Sequence, residues 1–248
     1  MVKKAVMQFT GERVVEGSTP KRIWLDHIAR YKFASRYVKG KKVLDIACGT
    51  GYGSKILYDA GAIKVVGVDI SNEAIEFACT KYRIKNLEFK VGDIHNLDFS
   101  ENYFDVITCF ETIEHIGNQE RALIELKRVL KPKGLLIISS PNRKLTSPGK
   151  SINDHPDNPF HTKEYSTEEF ISVLKDYFEI LGVYGQRPIN KLFLLPFFER
   201  IARKILPMIY DPGRGKPELE KVSSKKEYRY ITVVCKKSKG DKVWKSQS

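Results

Sequence analysis

The sequence lacks closely spaced cysteines. Its four cysteines are far apart and form no C-x-x-C pair: Cys48, Cys79, Cys109 and Cys235. Structural zinc sites need ligands at short spacing, and disulfide frameworks are typical of small secreted chains that are rich in cysteine. We therefore expect four reduced thiols, with neither disulfides nor zinc.

Long apolar runs are also missing. No run approaches the roughly 20 residues that cross a bilayer, and the N-terminal segment lacks the apolar core of a signal peptide. With 42% hydrophobic and 29% charged residues, the composition is that of an ordinary globular protein. We expect a cytoplasmic protein with a single domain over residues 1–248, in which residues 1–40 form an N-terminal helical cap.

Acidic residues are too few to balance the basic ones. The formal net charge is +13, and residues 199–248 hold 14 Lys and Arg against 6 Asp and Glu. Such an excess attracts an anionic partner, for example nucleic acid, a phosphorylated glycan or a membrane surface, or it only keeps the chain's tail solvated. Charge alone does not decide between these interpretations.

What the sequence does contain is a glycine-rich turn between a strand and a helix. The apolar run 43–47 predicts a buried strand, Gly49, Gly51 and Gly53 follow, and a helical pattern begins at Ser54. Glycines allow a tight turn and a close approach to a ligand, and the helix N-terminus offers free N–H groups. The G-x-G-x-G spacing differs from the G-x-G-x-x-G fingerprint, which counts against a dinucleotide.

Strand and helix patterns then alternate along the chain. Strands are predicted at 43–47, 64–69, 87–91, 104–110, 135–140, 178–186 and 227–237, and helices at 53–60, 72–82, 118–130 and 167–176. This alternation favours a parallel sheet that is covered on both faces and binds ligands at the carboxyl ends of its strands. Asp69 ends the second strand, where it can accept hydrogen bonds from ribose hydroxyls or cap the next helix. Asp93 follows the third strand at the same edge.

These motifs together resemble one enzyme family. Residues 43–53, Asp69, Gly92-Asp93-Ile94, residues 104–107 and residues 128–135 are similar, in order and spacing, to the class I S-adenosylmethionine-dependent methyltransferases. The resemblance covers roughly residues 41–141. It implies an α/β fold of three α/β/α layers, Rossmann-like, with a seven-stranded, mostly parallel sheet and an antiparallel last strand. It also implies S-adenosylmethionine as cofactor and S-adenosylhomocysteine as product.

The resemblance assigns roles to single residues. The loop glycines would pass under the methionine part of the cofactor, Asp69 would hold the ribose, and Asp93 and Ile94 would frame the adenine. The residues expected to bind the cofactor are Asp45, Gly49, Thr50, Gly51, Tyr52, Asp69, Ile70, Asp93, Ile94, Phe110 and Arg30.

The flanking segments resemble a narrower group. Residues 9–13, 27–31, 158–165 and 185–187 are similar to methyltransferases associated with bacterial or archaeal surface glycans. This resemblance implies a small-molecule or glycan acceptor. The residues expected to face the acceptor are Arg13, His155, His161 and Tyr165. Arg13 and Arg30 also suit the cofactor carboxylate, and each equally suits an ion pair at the surface.

Three polar residues follow the predicted strand 104–110 at positions i, i+3 and i+4: Glu111, Glu114 and His115. In a helical turn their side chains share one face. They suit a general base with its orienting partner, or a divalent-metal site that His155 or His161 completes. The pattern resembles the E-x-x-E-H element of magnesium-dependent RNA-end methyltransferases and some quinone O-methyltransferases. We expect His115, Glu111 and Glu114 to be catalytic without a metal; the alternatives are a divalent metal on the same residues, and helix capping by Glu114 and His115.

Residues 187–226 are too long for a hairpin turn and are expected to form an insertion. Their apolar stretch 191–210 suits a lid over the acceptor, a contact in a homodimer, or a peripheral membrane contact. Pro196 and Pro207 interrupt a long membrane-lying helix, which favours the lid or the dimer contact.

The leading hypothesis is an O-methyltransferase that acts on a small molecule or a glycan. An NAD-dependent oxidoreductase is disfavoured by the loop spacing and by Gly92-Asp93-Ile94. An RNA methyltransferase is favoured by the charge, but the Asn/Asp-Pro-Pro-aromatic turn of nucleobase-amine methyltransferases is missing, so nucleic acid is the less favoured partner. The non-enzymatic alternative is a protein that binds S-adenosylmethionine as a partner or sensor.

Overall fold

The computed structural model describes residues 13–194 and 215–238. Its strands are β1 (Lys42–Ile46), β2 (Lys64–Asp69), β3 (Leu87–Val91), β4 (Phe104–Phe110), β5 (Leu130–Pro141), β6 (Phe178–Asn190), β7 (Glu220–Lys221) and β8 (Lys226–Lys237). They form one sheet in the order β3-β2-β1-β4-β5-β8-β6-β7.

Helices lie between β1 and β2, β2 and β3, β4 and β5, and β5 and β6, as the alternation predicts, and one further helix precedes β1. They are α1 (Lys21–Ala34), α2 (Tyr52–Asp59), α3 (Asn72–Lys81), α4 (Gln119–Val129), α5 (Arg143–Thr146) and α6 (Thr167–Lys175), with 3₁₀ turns at Ser35–Tyr37, Ile113–His115 and Lys191–Leu194. Ser71 caps α3 by accepting a hydrogen bond from the backbone N–H of Ala74. Ser166 and Glu169 form a reciprocal capping box that starts α6.

Strand direction brings the functional edge together. β1 pairs in parallel with β2 and β4, β2 with β3, and β4 with β5. The carboxyl ends of these strands therefore meet at one edge, where open α/β sheets bind their ligands. β8 pairs antiparallel with both β5 and β6.

Apolar side chains cover both faces of the sheet. Successive residues of a strand point to opposite faces, and Val43 and Leu44 of β1 accordingly belong to different hydrophobic clusters. The cluster of Leu44 includes residues of α4 and α6, whereas the cluster of Val43 includes residues of α1 and α2. The predicted class, a three-layer α/β/α Rossmann-like fold with an antiparallel last strand, is confirmed.

Among the described residues the sheet has eight strands, where seven were predicted. The additional strand, β7, has only two residues, which pair with Tyr184 and Gly185 of β6. Two residues are too short to show an alternating pattern. β6 also continues to Asn190, so the expected insertion at 187–226 starts with residues of that strand.

Part of the expected insertion lies outside the described residues, namely 195–214. The same holds for residues 1–12 of the expected N-terminal cap, whose described part contains α1. The single domain over 1–248, the lid and the dimer contact stay predictions. Within residues 13–194 and 215–238, no helix combines the length and the apolar character that a bilayer crossing requires.

Gly53 provides a test of how closely α1 and α2 pack. A Cβ atom at this position would lie 1.9 Å from Cζ of the Tyr31 ring. We expect Gly53→Ala to lower the free energy of unfolding by about 1 to 3 kcal/mol, because overpacking displaces the ring. Urea unfolding measures the difference.

Gly117→Ala is the matched control, since no atom lies within 4 Å of the added Cβ and the backbone φ is not positive. Its effect should stay within about 0.5 kcal/mol. Equal effects of the two substitutions would contradict the packing that we describe.

Candidate functional site

A cavity of about 500 Å³ opens at the carboxyl ends of β1, β2 and β4, and we call it the first cavity. Its volume lies in the range that binds small molecules and cofactors. Five of the residues predicted to bind the cofactor line it: Gly49, Tyr52, Asp69, Ile70 and Phe110. Arg13, predicted to face the acceptor, lines the same cavity.

Asp69 links the glycine-rich loop to α3. One carboxylate oxygen accepts a hydrogen bond from the N–H of Gly49 (2.8 Å), and the other accepts one from the N–H of Ser71 (2.9 Å). Gly49 and Gly51 have φ values of +52° and +79°, which glycine adopts without strain. Ile70 is 73% exposed at the mouth of the cavity. The glycine-rich loop, the Asp69 carboxylate and the apolar side chain of Ile70 therefore lie next to one another.

Asp45 lies on β1, before the glycine-rich loop, and does not line the first cavity. It is completely buried and accepts hydrogen bonds from the hydroxyls of Ser54 (2.6 Å), Thr108 (2.7 Å) and Tyr31 (3.1 Å). Burial raises its pKa to about 6, although these hydrogen bonds oppose the shift. Its contacts join β1 to α1, α2 and β4 rather than reach into the cavity.

The remaining predicted cofactor residues also lie outside the first cavity. Thr50 is buried and donates its hydroxyl to the carbonyl of Val14. Asp93 is paired with His95, while Gly51 and Ile94 do not line the cavity. Arg30 lines a different cavity.

That second cavity has a volume of about 230 Å³ and lies beside the first. Three residues line both cavities and form a shared wall: His27, Glu111 and His115. Burial, followed by the charge of Arg30, lowers the pKa of His27 well below its ordinary value, so its imidazole is neutral. Two ligands in these cavities would meet at this wall.

The chain turns sharply after β4 to build the wall. Glu111 has a φ of +48°, a conformation that is uncommon and costly for a residue with a side chain. Its N–H donates to Ser139 Oγ (3.1 Å), and that hydroxyl donates to Glu111 Oε1 (2.6 Å). The 3₁₀ turn that follows brings Glu114 and His115 to the second cavity. The three residues of the E-x-x-E-H pattern thus line one cavity.

Glu114 is an unusual carboxylate. It is 1% exposed, and within the described part of the chain neither of its side-chain oxygens has a hydrogen-bond partner. Burial, and secondarily the charge of Glu111, raises its pKa well above the ordinary value. His115 Nε2 lies 4.0 Å from Glu114 Oε1.

Two of the three histidines that line the second cavity, His115 and His161, have hydrogen bonds that define their tautomers. His115 Nδ1 lies 3.0 Å from the carbonyl oxygen of Phe160, which only accepts, so Nδ1 carries the proton. His161 Nδ1 lies 2.6 Å from Glu164 Oε1 and donates to that carboxylate. The two rings meet edge to face with centroids 4.7 Å apart. In the tautomers that these contacts favour, Nε2 is the nitrogen without a proton.

The comparisons with known proteins agree with this geometry. Residues 38–183 match the family model described as "Methyltransferase domain". A probable S-adenosylmethionine-dependent methyltransferase of Mycolicibacterium smegmatis is 32% identical over 185 residues, which cover 73% of this chain and 70% of that relative. The chain belongs to the S-adenosylmethionine-dependent methyltransferases. Its cofactor is accordingly S-adenosylmethionine.

Two further relatives add detail to the comparison. A ubiquinone biosynthesis O-methyltransferase of Coxiella burnetii is 35% identical over 127 residues, which are 50% of this methyltransferase and 54% of that relative. A solved protein of Pyrococcus horikoshii OT3 shares the fold with a TM-score of 0.63 and 24% identity, over 93% of this chain and 96% of that one.

The residues predicted to face the acceptor of the methyltransferase are dispersed. His161 lines the second cavity. Arg13 lines the first cavity, where it donates to Ser71 Oγ and forms an ion pair with Glu73. His155 lines neither cavity.

Tyr165 does not line the second cavity either. It is 4% exposed, stacks on Phe170 and donates its hydroxyl to the amide oxygen of Gln119. Its position in the sequence next to Glu164 gives no sign that its ring packs into the core.

Several lining residues of the second cavity escaped the sequence analysis, among them Glu164, Arg229 and Tyr230. Glu164 is 1% exposed and also accepts hydrogen bonds from Thr146 and Ser147. Burial raises its pKa, but the hydrogen bonds, that of His161 first, outweigh burial and lower the pKa overall. Glu164 is therefore ionised beside His161. Its i, i+3 spacing from His161 was the one signal that pointed to it.

Asp45 makes the stability of the methyltransferase depend on pH. Its pKa is about 6 in the folded protein and 3.8 in the reference state, so the folded form holds this proton more tightly. The protonated Asp45 therefore stabilises the folded protein fully below pH 3.8. This contribution to the free energy of unfolding is lost as the pH rises through about 6. The loss amounts to roughly 3 kcal/mol. Asp45→Asn should flatten the stability profile between these two values.

Urea unfolding of wild type and variant at several pH values measures this difference. The difference between the two curves of unfolding free energy against pH cancels the contribution of groups that titrate alike in both proteins. Parallel profiles would contradict the assignment of a raised pKa to Asp45.

Proposed function

We propose that this methyltransferase transfers the methyl group of S-adenosylmethionine, bound in the first cavity, to an oxygen of a small-molecule or glycan acceptor in the second. The observation that carries this proposal is the shared wall of His27, Glu111 and His115. The sulfonium is already activated, so the protein mainly has to align acceptor oxygen, methyl carbon and sulfur. Adjoining cavities suit such an in-line displacement.

The cofactor orientation follows from the contacts in the first cavity. The Asp69 carboxylate accepts one hydrogen bond from Gly49 and one from Ser71. Each of its oxygens can accept a further hydrogen bond, which suits the ribose hydroxyls. The exposed side chain of Ile70 suits the adenine ring. The sulfonium end of the cofactor then extends toward Glu111 and the shared wall.

The acceptor must lose a proton if it is a hydroxyl. Glu111, Glu114 and His115 line the second cavity and include two carboxylates and one imidazole. His115 Nε2 can take the proton directly, or it can hold a cation that acidifies the hydroxyl. Both possibilities give His115 a catalytic role.

Polar groups in the second cavity suit an acceptor that is rich in hydroxyls. Arg30 is 1% exposed, and among the described residues its Nε has no hydrogen-bond partner. Arg229 and Glu164 line the same cavity. The Coxiella relative named as an O-methyltransferase and the flanking segments that resemble glycan-associated enzymes support an oxygen acceptor.

Labelled S-adenosylmethionine tests the acceptor class. We expect label from the methyl group to enter a glycan or a small hydroxylated molecule of a fractionated extract and to resist mild base, because a methyl ether is not hydrolysed. Label that base releases as methanol would indicate a carboxylate acceptor. Label that ribonuclease releases would indicate RNA. Either result would contradict the proposal.

Asp69 is expected to determine cofactor affinity. Asp69→Ala removes hydrogen bonds to a charged acceptor and the restraint on Gly49, so the Kd for S-adenosylmethionine should rise about 10- to 100-fold. Calorimetry provides the measurement. Asp59→Ala, at the exposed end of α2, is the control and should bind normally. Wild-type affinity in Asp69→Ala would refute the ribose role.

His115 is expected to affect turnover but not cofactor binding. His115→Ala should lower kcat about 100-fold or more, since proton removal of this kind contributes about 10² to 10⁴. The Kd for S-adenosylmethionine should change less than about twofold. His155→Ala removes a histidine that lines neither cavity and serves as control. Equal turnover in the two variants would exclude His115 from the reaction.

A further inference from the structure

Two arginines in the second cavity lie against the same aromatic ring. Arg30 of α1 and Arg229 of β8 both line the cavity, and their guanidinium carbons lie 5.2 Å and 5.8 Å from the centroid of the Tyr230 ring. We propose that these arginines form a subsite for an anionic group of the acceptor, a carboxylate or a phosphate, which is separate from the oxygen that is methylated. This assignment of the acceptor class rests on the proposed function, whereas the binding of an anion by the two arginines does not.

The charge of Arg30 is buried and poorly compensated. The residue is 1% exposed, and its guanidinium donates a single hydrogen bond to the described residues, from Nη1 to Gln186 Oε1 (2.7 Å). Its Nε is buried without a partner among the same residues. The carboxylate of Glu111 lies 3.9 Å from Nη1, which is too long for a hydrogen bond. A buried charge in this state is costly unless a ligand pairs with it.

Arg229 lacks a counter-ion as well. It is half-buried, and its Nε has no hydrogen-bond partner within the described part of the chain. In that part of the chain it also forms no ion pair with a carboxylate. Two positive charges against one ring repel each other, and an anion that binds both removes this repulsion.

The surrounding contacts hold Arg30 in place without using most of its donors. Gln186 is completely buried, pairs with Tyr230 across β6 and β8, and donates to the carbonyls of Asp26 and Pro217. Contact with the tyrosine ring restrains a guanidinium but leaves its N–H groups unused. A planar guanidinium binds a carboxylate or a phosphate through two parallel hydrogen bonds. The arginines are therefore preorganised for such an anion.

The acidic residues of the second cavity do not neutralise these arginines. Each of the four has a basic group nearby: Asp26 with Arg187 (2.8 Å), Glu164 with His161 (2.6 Å), Glu111 with Arg30 (3.9 Å) and Glu114 with His115 (4.0 Å). Only the long contact of Glu111 involves Arg30, and Arg229 has no acidic partner within residues 13–194 and 215–238. An anionic group of the acceptor can supply the missing charge.

The subsite lies close to the shared wall. His27 and Arg30 are three positions apart on α1, and both line the second cavity. Side chains at this spacing lie on one face of a helix, about 4.5 Å apart along its axis. The methylated oxygen at the wall and the anionic group at the arginines therefore belong to the same ring of the acceptor or to adjacent rings. A uronic acid and a sugar phosphate both meet this requirement.

Titration with inorganic phosphate or acetate tests the subsite without cofactor or acceptor. We expect calorimetry of the full chain to detect binding that Arg229→Gln and Arg30→Gln each weaken about 10-fold or more, because each substitution removes charge-assisted hydrogen bonds. Arg83→Gln is the control, since Arg83 is exposed, lines neither cavity and should leave this binding unchanged. Equal affinity in wild type and Arg229→Gln, or binding of neither anion, would overturn the subsite.

Two further measurements separate binding from folding and from cofactor contacts. Urea unfolding checks that the variants fold, and Arg229→Gln decides the result if the buried Arg30 tolerates no substitution. Arg229→Lys keeps the charge but not the planar fork, so it should restore part of the anion affinity. The Kd for S-adenosylmethionine should change less than about twofold, because neither arginine lines the first cavity. A rise in that Kd as large as the loss of anion affinity would overturn the assignment to the acceptor.

The methylated product tests the acceptor class. We expect the base-resistant labelled product of the extract to be retained on an anion-exchange column at neutral pH. Phosphodiesterase with alkaline phosphatase removes the retention of a phosphate, whereas carbodiimide coupling removes that of a carboxylate. Arg229→Gln should raise the KM for this acceptor about 10-fold and change kcat less. Retention that survives both treatments would contradict the proposal.

The two proposals fail in different ways. A base-resistant product that the column does not retain would refute the anionic acceptor and leave the proposed function intact. A product from which base releases methanol would refute the proposed function, while arginine-dependent binding of phosphate would keep the anion subsite.

Discussion

A buried carboxylate, Asp45, joins the elements that build both cavities. It lies on β1 and accepts hydrogen bonds from Tyr31 of α1, Ser54 of α2 and Thr108 of β4. α1 carries His27 to the shared wall, α2 follows the glycine-rich loop, and β4 leads into the turn of the E-x-x-E-H pattern. Ionisation of a group this buried is unfavourable, so the position of the site depends on how well these three hydroxyls compensate it.

The fold and the cofactor half of the site could be predicted because their determinants are local in sequence. The alternation of apolar strands and amphipathic helices identifies the layers, and Gly49 and Asp69 lie at the ends of successive parallel strands. Topology then brings them into direct contact, with Asp69 accepting from the N–H of Gly49. Asp45 also fits the family's sequence pattern and was predicted to bind the cofactor. The sequence does not show that its side chain is buried and bonded to three hydroxyls.

The acceptor half depends on contacts between distant parts of the chain. β8 inserts between β5 and β6 and brings Arg229 and Tyr230 to the second cavity. The polar loop after α5 supplies His161 and Glu164 beside His115. The position of Arg229 and Tyr230 has no local sequence signature, and the only local signal for Glu164 is its i, i+3 spacing from His161. The same limitation explains why Tyr165 was predicted to face the acceptor although it packs in the core.

The central claim is that methyl transfer takes place across the wall of His27, Glu111 and His115. A crystal structure with S-adenosylmethionine bound tests it most directly. Our account predicts that the ribose contacts Asp69 and that the methyl carbon lies at this wall, directed toward the second cavity. A methyl group that points away from His115, with no open path to the second cavity, would contradict the account.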